Sequence, residues 1–264
     1  MKQVVGLILL WFLFTQVGIA QQTDTGKVDI AIEKSLHYFR KKCAEKEVLM
    51  YIQPLFKPIY SYYRLEGGEF CFRYTDRKDS LYIASFAPLY LGEAKTGYLV
   101  KNLEWSPIDS LTLFALYGTR IMSKKRALQT MEKFITEMNY EMTHSYLALL
   151  LLENTQYIQK KKLASLKAKN LDAMYRQLEG AQERYSDIEV ECIALLLYGG
   201  EQVKEEYIVK LIETQELDGS WLQRGDAEEN EMRDHTSILG LWALLEWKYG
   251  SDKTLYLAKK KGTN

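Results

Sequence analysis

The chain has 264 residues, of which 47% are hydrophobic, and this composition predicts a folded protein with a sizeable core rather than a disordered chain. Its 35 Lys and Arg residues balance its 35 Asp and Glu residues, so the formal net charge is 0. We therefore expect no nucleic-acid partner, because binding to a phosphate backbone draws on an excess of positive charge.

Residues 1–20 have the layout of a secretory signal peptide. Lys2 provides a basic start, residues 4–14 are apolar, and Gly18 and Ala20 are small residues suited to cleavage. The alternative is a buried N-terminal helix. We expect an exported protein, periplasmic or secreted, whose mature part (residues 21–264) forms one domain. No segment after residue 20 reaches 18 apolar residues, so no membrane span is expected in the mature chain.

The three cysteines, Cys43, Cys71 and Cys192, are too few for a disulfide-rich scaffold. In an oxidising compartment Cys43 and Cys71 can pair, which leaves Cys192 in an apolar segment. The alternative is three unpaired, buried thiols, since sequence spacing does not provide distances between Cα atoms.

Two kinds of helix alternate along the chain. In residues 201–215 and 122–138, apolar side chains recur on one helical face and the opposite face is charged, which is typical of helices on the outside of a protein. Residues 146–152, 192–198 and 238–245 are instead apolar on every side, so protein must surround them. Weaker candidates for this second kind are residues 28–39, 80–92 and 110–118.

The apolar segments resemble internal repeats. Ser145, Glu191 and Ser237 stand 46 residues apart at matching starts, and several segments end in glycine, among them Gly118 and Gly199. Glycine is suited to the left-handed position that ends a helix. The alternative is chance repetition of short Leu-rich helices.

Alternating buried and amphipathic helices predict an all-α fold with two concentric layers. About six helical hairpins closed into a ring would bury the inner layer on both sides and remove the need for end caps. The sequence therefore predicts an α/α toroid.

The segment "LIETQELDGSW" carries a resemblance to a known family. Gln215, Asp218, Gly219 and Trp221 resemble the glutamine–tryptophan motif of the α/α-toroid superfamily, which includes terpenoid cyclases and protein prenyltransferases. The resemblance implies that the motif links an outer helix to the next inner helix. It also implies a structural role, in which Gln215 and Trp221 tie the turn to neighbouring helix ends.

The catalytic motifs of that superfamily are not matched. The Asp-x-Asp-Asp motif of the cyclases does not occur in the chain. Cys192 and His235 resemble two of the prenyltransferase zinc ligands in position, but Val190 stands where the family has its Asp. We therefore expect neither a metal nor another cofactor.

Polar residues cluster where the predicted inner helices begin. In a closed ring these starts meet at one rim of the central cavity, and we select His144, Glu189, Glu191, Asp234 and His235 as candidate rim residues. Helix capping is the alternative, and it accounts for Asp and Ser better than for His. Two of the 3 histidines lie at these starts. A His beside a carboxylate is expected to have a raised pKa.

These features favour an exported, non-catalytic module that binds a peptide, a glycan, a lipid-like molecule or another small ligand in its central cleft. One alternative is an enzyme with acid–base chemistry at the rim, such as a carbohydrate-active enzyme. The other is a diverged relative of the cyclases or prenyltransferases. The fold by itself does not choose among them.

Overall fold

A computed structural model describes residues 25–45, 53–65, 81–82, 84–91, 104–153, 155–222 and 230–250. All regular secondary structure in these residues is helical, with no strand among them, and the predicted all-α class is confirmed to that extent. None of the described helices combines the length and the apolar content that a bilayer crossing requires.

The described helices follow one another along the chain. They are α1 (Thr25–Glu45), α2 (Gln53–Tyr63), α3 (Pro88–Leu91), α4 (Pro107–Tyr117), α5 (Lys124–Glu137), α6 (Tyr140–Glu153), α7 (Lys160–Glu179), α8 (Asp187–Tyr198), α9 (Glu205–Glu213) and α10 (Asn230–Tyr249). A single 3-10 turn, Gly118–Arg120, follows α4.

Burial separates the helices into the two kinds that the sequence predicts. In α8, ten of the twelve residues are buried, whereas in the amphipathic α5 only four of fourteen are buried. Helix α1 has buried positions such as Ala31 and Phe39, but it also has an exposed face that includes Ile30 and His37. It therefore belongs with the amphipathic helices, and the expectation of an inner helix at residues 28–39 is not met.

The buried helices contact one another in chain order, α4 with α6, α6 with α8 and α8 with α10. The amphipathic α5 and α7 pack against α6, and α7 also contacts α8. Helix α10 contacts α1 and α2, and α2 contacts α3. The hydroxyl of Tyr117 in α4 donates to the carbonyl oxygen of Ser85, 2.9 Å away, and so joins α4 to the segment that leads into α3. One hydrophobic cluster includes residues of every described α-helix.

Glycines end two of the buried helices in different ways. Gly118 follows α4 with φ +68°, in the half of the Ramachandran map that favours glycine. After α8, Gly199 is right-handed and Gly200 takes the positive φ of 75°. The Glu201 N–H then donates to the Leu196 carbonyl oxygen, 2.9 Å away, which is the long bond of a Schellman ending. The residue with positive φ after α8 is therefore Gly200, one position later than the Gly199 that the sequence predicts.

The Gln215–Trp221 turn links α9 to two other helices, α1 and α10. The Gln215 side chain donates to the carbonyl oxygen of Ala31 in α1 at 2.9 Å and to that of Gly219 at 3.1 Å. The Trp221 indole is 1% exposed and donates to the Leu211 carbonyl oxygen in α9 at 2.7 Å. The Trp221 backbone N–H donates to the Ser237 hydroxyl in α10 at 3.0 Å. The turn therefore fixes α1, α9 and α10 relative to one another.

Within the same turn, Asp218 and Gly219 allow the chain to reverse. Asp218 accepts hydrogen bonds from Ser220 and forms an ion pair with Arg233 at 2.6 Å. Gly219 has φ +90°, and a Cβ at this position would lie 2.1 Å from the carbonyl oxygen of Lys34 in α1. Both the backbone conformation and the close approach of α1 require glycine here.

The cysteines differ in state. Cys43 is disulfide-bonded, whereas Cys192 is a free, buried thiol in α8. Cys71 lies outside the described residues, so its pairing with Cys43 stays a prediction. Peptide mass mapping without reduction would identify the partner of Cys43.

Candidate functional site

A cavity of about 240 Å³ lies between the buried helices. Its walls come from α2, from Tyr82, Phe86 and Leu89, and from α4, α6, α8 and α10. The polar side chains in its wall include Asp109, Tyr140, His144, Glu191 and His235. Leu147, Leu195 and Trp242 form part of its apolar wall. Of the rim candidates from the sequence, His144, Glu191 and His235 therefore share one cavity.

His235 connects a carboxylate to a phenol. Its Nδ1 lies 3.0 and 2.9 Å from the two carboxylate oxygens of Asp187, and its Nε2 lies 3.1 Å from the hydroxyl of Tyr140. Asp187 also accepts a hydrogen bond of 2.6 Å from the Thr236 hydroxyl. Because a carboxylate accepts hydrogen bonds, Nδ1 of His235 carries a proton. Asp187, His235 and Tyr140 thus form a hydrogen-bonded chain that ends in the cavity wall.

The pKa of His235 lies above its ordinary value of 6.5. Burial lowers this pKa, but the hydrogen bond to Asp187 and the surrounding negative charge, chiefly that of Asp187, raise it by more. The raised pKa that the sequence predicts for a His beside a carboxylate is confirmed at this histidine.

His144 lies beside Glu191 but is not bonded to it. Its Nε2 is 3.6 Å from the nearer carboxyl oxygen of Glu191, which is too long for a hydrogen bond. Both ring nitrogens are buried, and neither has a hydrogen-bond partner in the described part of the chain. The ring centroid of Tyr140 is 4.6 Å from that of His144 and 5.8 Å from that of His235, so the phenol stands between the two imidazoles.

Burial keeps His144 and Glu191 uncharged. It lowers the pKa of His144 to about 3, with a further contribution from the charge of His235. It also raises the pKa of Glu191 to about 8, against the opposing effects of His235 and of the hydrogen bond donated by Thr143. The raised pKa expected for a rim histidine is therefore wrong for His144, because desolvation of the imidazole is the dominant effect and its carboxyl neighbour is protonated.

Two of the selected rim residues have their contacts elsewhere. Glu189 is 1% exposed, and its carboxylate accepts the backbone N–H of Ser186 at 2.6 Å, which is the role of a helix cap. Asp234 accepts the hydroxyl of Tyr38 in α1 and lies 3.8 Å from the ammonium group of Lys42. Neither side chain is part of the cavity wall. Asp234 instead joins α10 to α1.

Asp109 lies in the first turn of α4, and its side chain faces the cavity. The residue that caps α4 is Ser106, whose hydroxyl accepts the backbone N–H of Asp109 at 3.0 Å. The carboxylate of Asp109 accepts the Ser106 hydroxyl at 2.9 Å and the Tyr82 hydroxyl at 3.0 Å.

Sequence reasoning did not select Tyr140 or Asp187. Tyr140 is one of 19 tyrosines and has no distinguishing neighbour, although it stands four residues before His144 and so on the same helical face. Asp187 stands four residues before Glu191 in the same way. Only the packing of α10 against α8 brings Asp187 to His235.

A metal centre has no support in the described residues. Among them, His, Cys, Asp and Glu side chains form no group of three or more that could hold a metal ion. Cys192 is fully buried, and burial raises the pKa of its thiol, which disfavours the thiolate that zinc requires.

Comparisons of the chain with protein-family models, with curated proteins and with solved structures give no significant match.

Proposed function

We propose that this protein is an exported α/α-toroid module that binds a ligand in its central cavity. The ligand is a small molecule, or one end of a glycan, a peptide or a lipid-like molecule. The observation that carries the proposal is the His144 side chain, whose two buried nitrogens lack hydrogen-bond partners in the described residues although the ring lines a cavity. An unsatisfied buried polar group is destabilising by about 1–3 kcal/mol, and a bound ligand would remove that penalty.

The order of helix contacts supports the toroid. Helices α4, α6, α8 and α10 contact one another in that order. Helix α10 also contacts α2, and α2 contacts α3. The hydrogen bond from Tyr117 of α4 to Ser85 connects the segment before α3 to α4. All these parts line one cavity. The outer α1, α5 and α7 pack against this inner set.

The state of Cys43 supports export. Disulfides persist in oxidising compartments and are rare in the cytosol, and Cys43 is disulfide-bonded. Residues 1–20 supply the matching targeting signal. N-terminal sequencing of the exported protein should give Gln21 as the first residue, and retention of residues 1–20 would contradict this part of the proposal.

Ligand binding can be tested with His144 and His37 as a matched pair. Wild-type protein is screened by thermal shift against short oligosaccharides, dipeptides and medium-chain amphiphiles, because a ligand that binds only the native state raises Tm. The His144→Ala variant should lose the shift. The His37→Ala variant should keep it, since His37 is exposed on α1 and outside the cavity wall. An equal shift in both variants, or none with any ligand class in the wild type, would overturn the proposal.

A second candidate function is acid–base catalysis in the same cavity. The specific observation in its favour is the Asp187–His235–Tyr140 chain, in which Asp187 orients the imidazole and stabilises its charged form. The same screen extended to chromogenic esters and glycosides separates the two functions. Turnover that is lost in both His235→Asn and Tyr140→Phe but retained in His37→Ala would favour the enzyme.

A further inference from the structure

The cavity changes character along the helix axes. In α6, Tyr140 and His144 face it from the first turns and Leu147 from the next, and in α8 the polar Glu191 is followed by Leu195. In α10, His235 and Trp242 both line it, seven residues and so about 10 Å apart along the axis. The polar groups therefore meet at one end of the cavity and apolar groups form the other.

The groups beside His144 offer a ligand little net charge. His235 and Asp187 form a close pair whose charges offset each other. Glu191 is 7% exposed and its carboxyl group is protonated at neutral pH, because burial raises its pKa to about 8. His144 is neutral because burial lowers its pKa to about 3. The carboxylate of Asp109 lies on α4, where it accepts hydrogen bonds from Ser106 and Tyr82.

His144 and Glu191 together offer both kinds of hydrogen bond. A neutral imidazole has one donor and one acceptor nitrogen, and a protonated carboxyl has one donor. The 3.6 Å between Nε2 of His144 and the Glu191 oxygen keeps these groups from satisfying each other. An oxygen-bearing group such as a hydroxyl or an amide can bond to both. A charged head placed between His144 and Glu191 would lose its hydration beside two uncharged groups, which is strongly unfavourable.

We propose that the cavity binds an uncharged amphiphile, with its hydroxyl or amide head between His144 and Glu191 and its hydrocarbon part along Leu147, Leu195 and Trp242. This inference rests on the proposed ligand-binding function and names the class of ligand. Glycans and charged lipids are the competing classes.

The test uses four six-carbon compounds that differ only in the head group. Binding of 1-hexanol, hexanamide, hexanoate and hexylammonium at pH 7 is measured by calorimetry, with Trp242 in the cavity wall as an independent fluorescence probe. We expect the two neutral compounds to bind at least roughly tenfold more tightly than the two ions, because burying an unpaired ion is costly.

Two pairs of variants locate the head and the tail. His144→Leu removes both nitrogens but keeps an apolar side chain, and it should weaken binding of hexanamide roughly tenfold, in line with the loss of a hydrogen bond that leaves a partner unsatisfied. Glu191→Gln replaces a neutral carboxyl by a neutral amide and should change affinity by less than about threefold. Leu195→Phe narrows the apolar end and should weaken hexanol roughly tenfold or more, whereas Ile30→Ala, on the exposed face of α1, should have no effect.

The outcomes separate this inference from the proposed function. Binding of hexanoate or hexylammonium as tight as that of hexanol, and sensitive to Leu195→Phe, would overturn the uncharged head and leave the cavity as a ligand site. Loss of all binding in Glu191→Gln would likewise overturn it, since an ionised carboxylate would then be needed. If oligosaccharides raise Tm in the first screen and none of the four amphiphiles binds, the inference fails and the binding function stands. Circular dichroism of each variant confirms that the helical fold is kept.

Discussion

At the scale of single residues, the cavity contains two pairs of a histidine and a carboxyl group with opposite behaviour. His235 and Asp187 are within hydrogen-bond distance, so Asp187 favours the charged form of His235. His144 and Glu191 are 3.6 Å apart without a hydrogen bond, and burial favours the neutral form of both. Contact geometry, rather than residue type, decides which pair is ionic.

The protonated carboxyl of Glu191 makes stability depend on pH. Its folded-state pKa of about 8 lies above the ordinary value of 4.5, so the folded protein holds a proton that the unfolded chain has released. This contribution is fully present below pH 4.5 and is lost as pH rises to about 8. His144 acts in the opposite direction, but only between its folded pKa of about 3 and the ordinary 6.5.

Above pH 6.5 the contribution of His144 to the free energy of unfolding no longer changes with pH, so it does not oppose that of Glu191. The raised pKa of His235 changes the free energy of unfolding in the same direction as Glu191 does. On account of Glu191, we expect the free energy of unfolding to fall by about 1.4 kcal/mol per pH unit near pH 6.5 and by about half as much per unit near pH 8, where half of the folded molecules have lost this proton. Urea denaturation across this range measures the slope, and Glu191→Gln should reduce it by these amounts. An unchanged slope in the variant would show that Glu191 is ionised in the folded protein.

At the scale of helices and turns, the Gln215–Trp221 turn connects distant parts of the chain. Gln215 binds the backbone of α1, Trp221 binds α9 and packs beside Gly240 of α10, and Arg233 of α10 pairs with Asp218. A Cβ on Gly240 would lie 2.8 Å from the Trp221 ring, so the indole and the helix fit without spare room. The motif thus determines how the last helices and the first helix fit together.

Gly219→Ala should damage this connection, whereas Gly180→Ala should not. A Cβ on Gly219 would meet the Lys34 carbonyl oxygen at 2.1 Å, and the residue has φ +90°. Gly180 at the end of α7 has φ −82°, and a Cβ there would lie 3.6 Å from the carbonyl oxygen of Arg176. We expect Gly219→Ala to lower the free energy of unfolding by more than about 2 kcal/mol and Gly180→Ala to change it by less than about 0.5 kcal/mol. Equal effects in chemical denaturation would mean that α1 does not approach the turn.

At the scale of the whole molecule, the first and the last described helices are in contact. In a straight stack of helical pairs, each unit contacts only its neighbours in sequence. Here α1 contacts α10, and Asp234 of α10 accepts a hydrogen bond from Tyr38 of α1. These contacts join helices that are separated by most of the chain.

A chain that begins at residue 46, and so lacks α1, tests the ring. If the proposed ring is correct, its loss should remove amide-exchange protection from α10 as well as from its sequence neighbour α2, because α10 would expose the face that α1 covers. The full chain with Ile30→Ala, a change on the exposed face of α1, is the control and should keep α10 protected. Undiminished protection of α10 in the shortened chain would favour an open stack.

The alternation of helix types was predictable from the sequence, since the burial of a helix depends mainly on its own pattern of apolar side chains. This pattern gave α6, α8 and α10 as buried helices and α5 and α9 as amphipathic ones, and the Gly219 turn between α9 and α10 followed from local chain chemistry. Helix α1 was misjudged, because its apolar positions were counted without its exposed charges.

The pairing of groups across helices was decided by the tertiary structure. Sequence placed His144, Glu191 and His235 near one rim, but it did not reveal that Asp187 bonds to His235 while Glu191 remains apart from His144. Both histidines start inner helices beside acidic residues, so their sequence contexts are alike. Distances of 2.9 and 3.6 Å separate an ionic pair from a neutral one. Such differences depend on how α6, α8 and α10 pack, because hydrogen bonding and desolvation are short-range effects that only the folded arrangement determines.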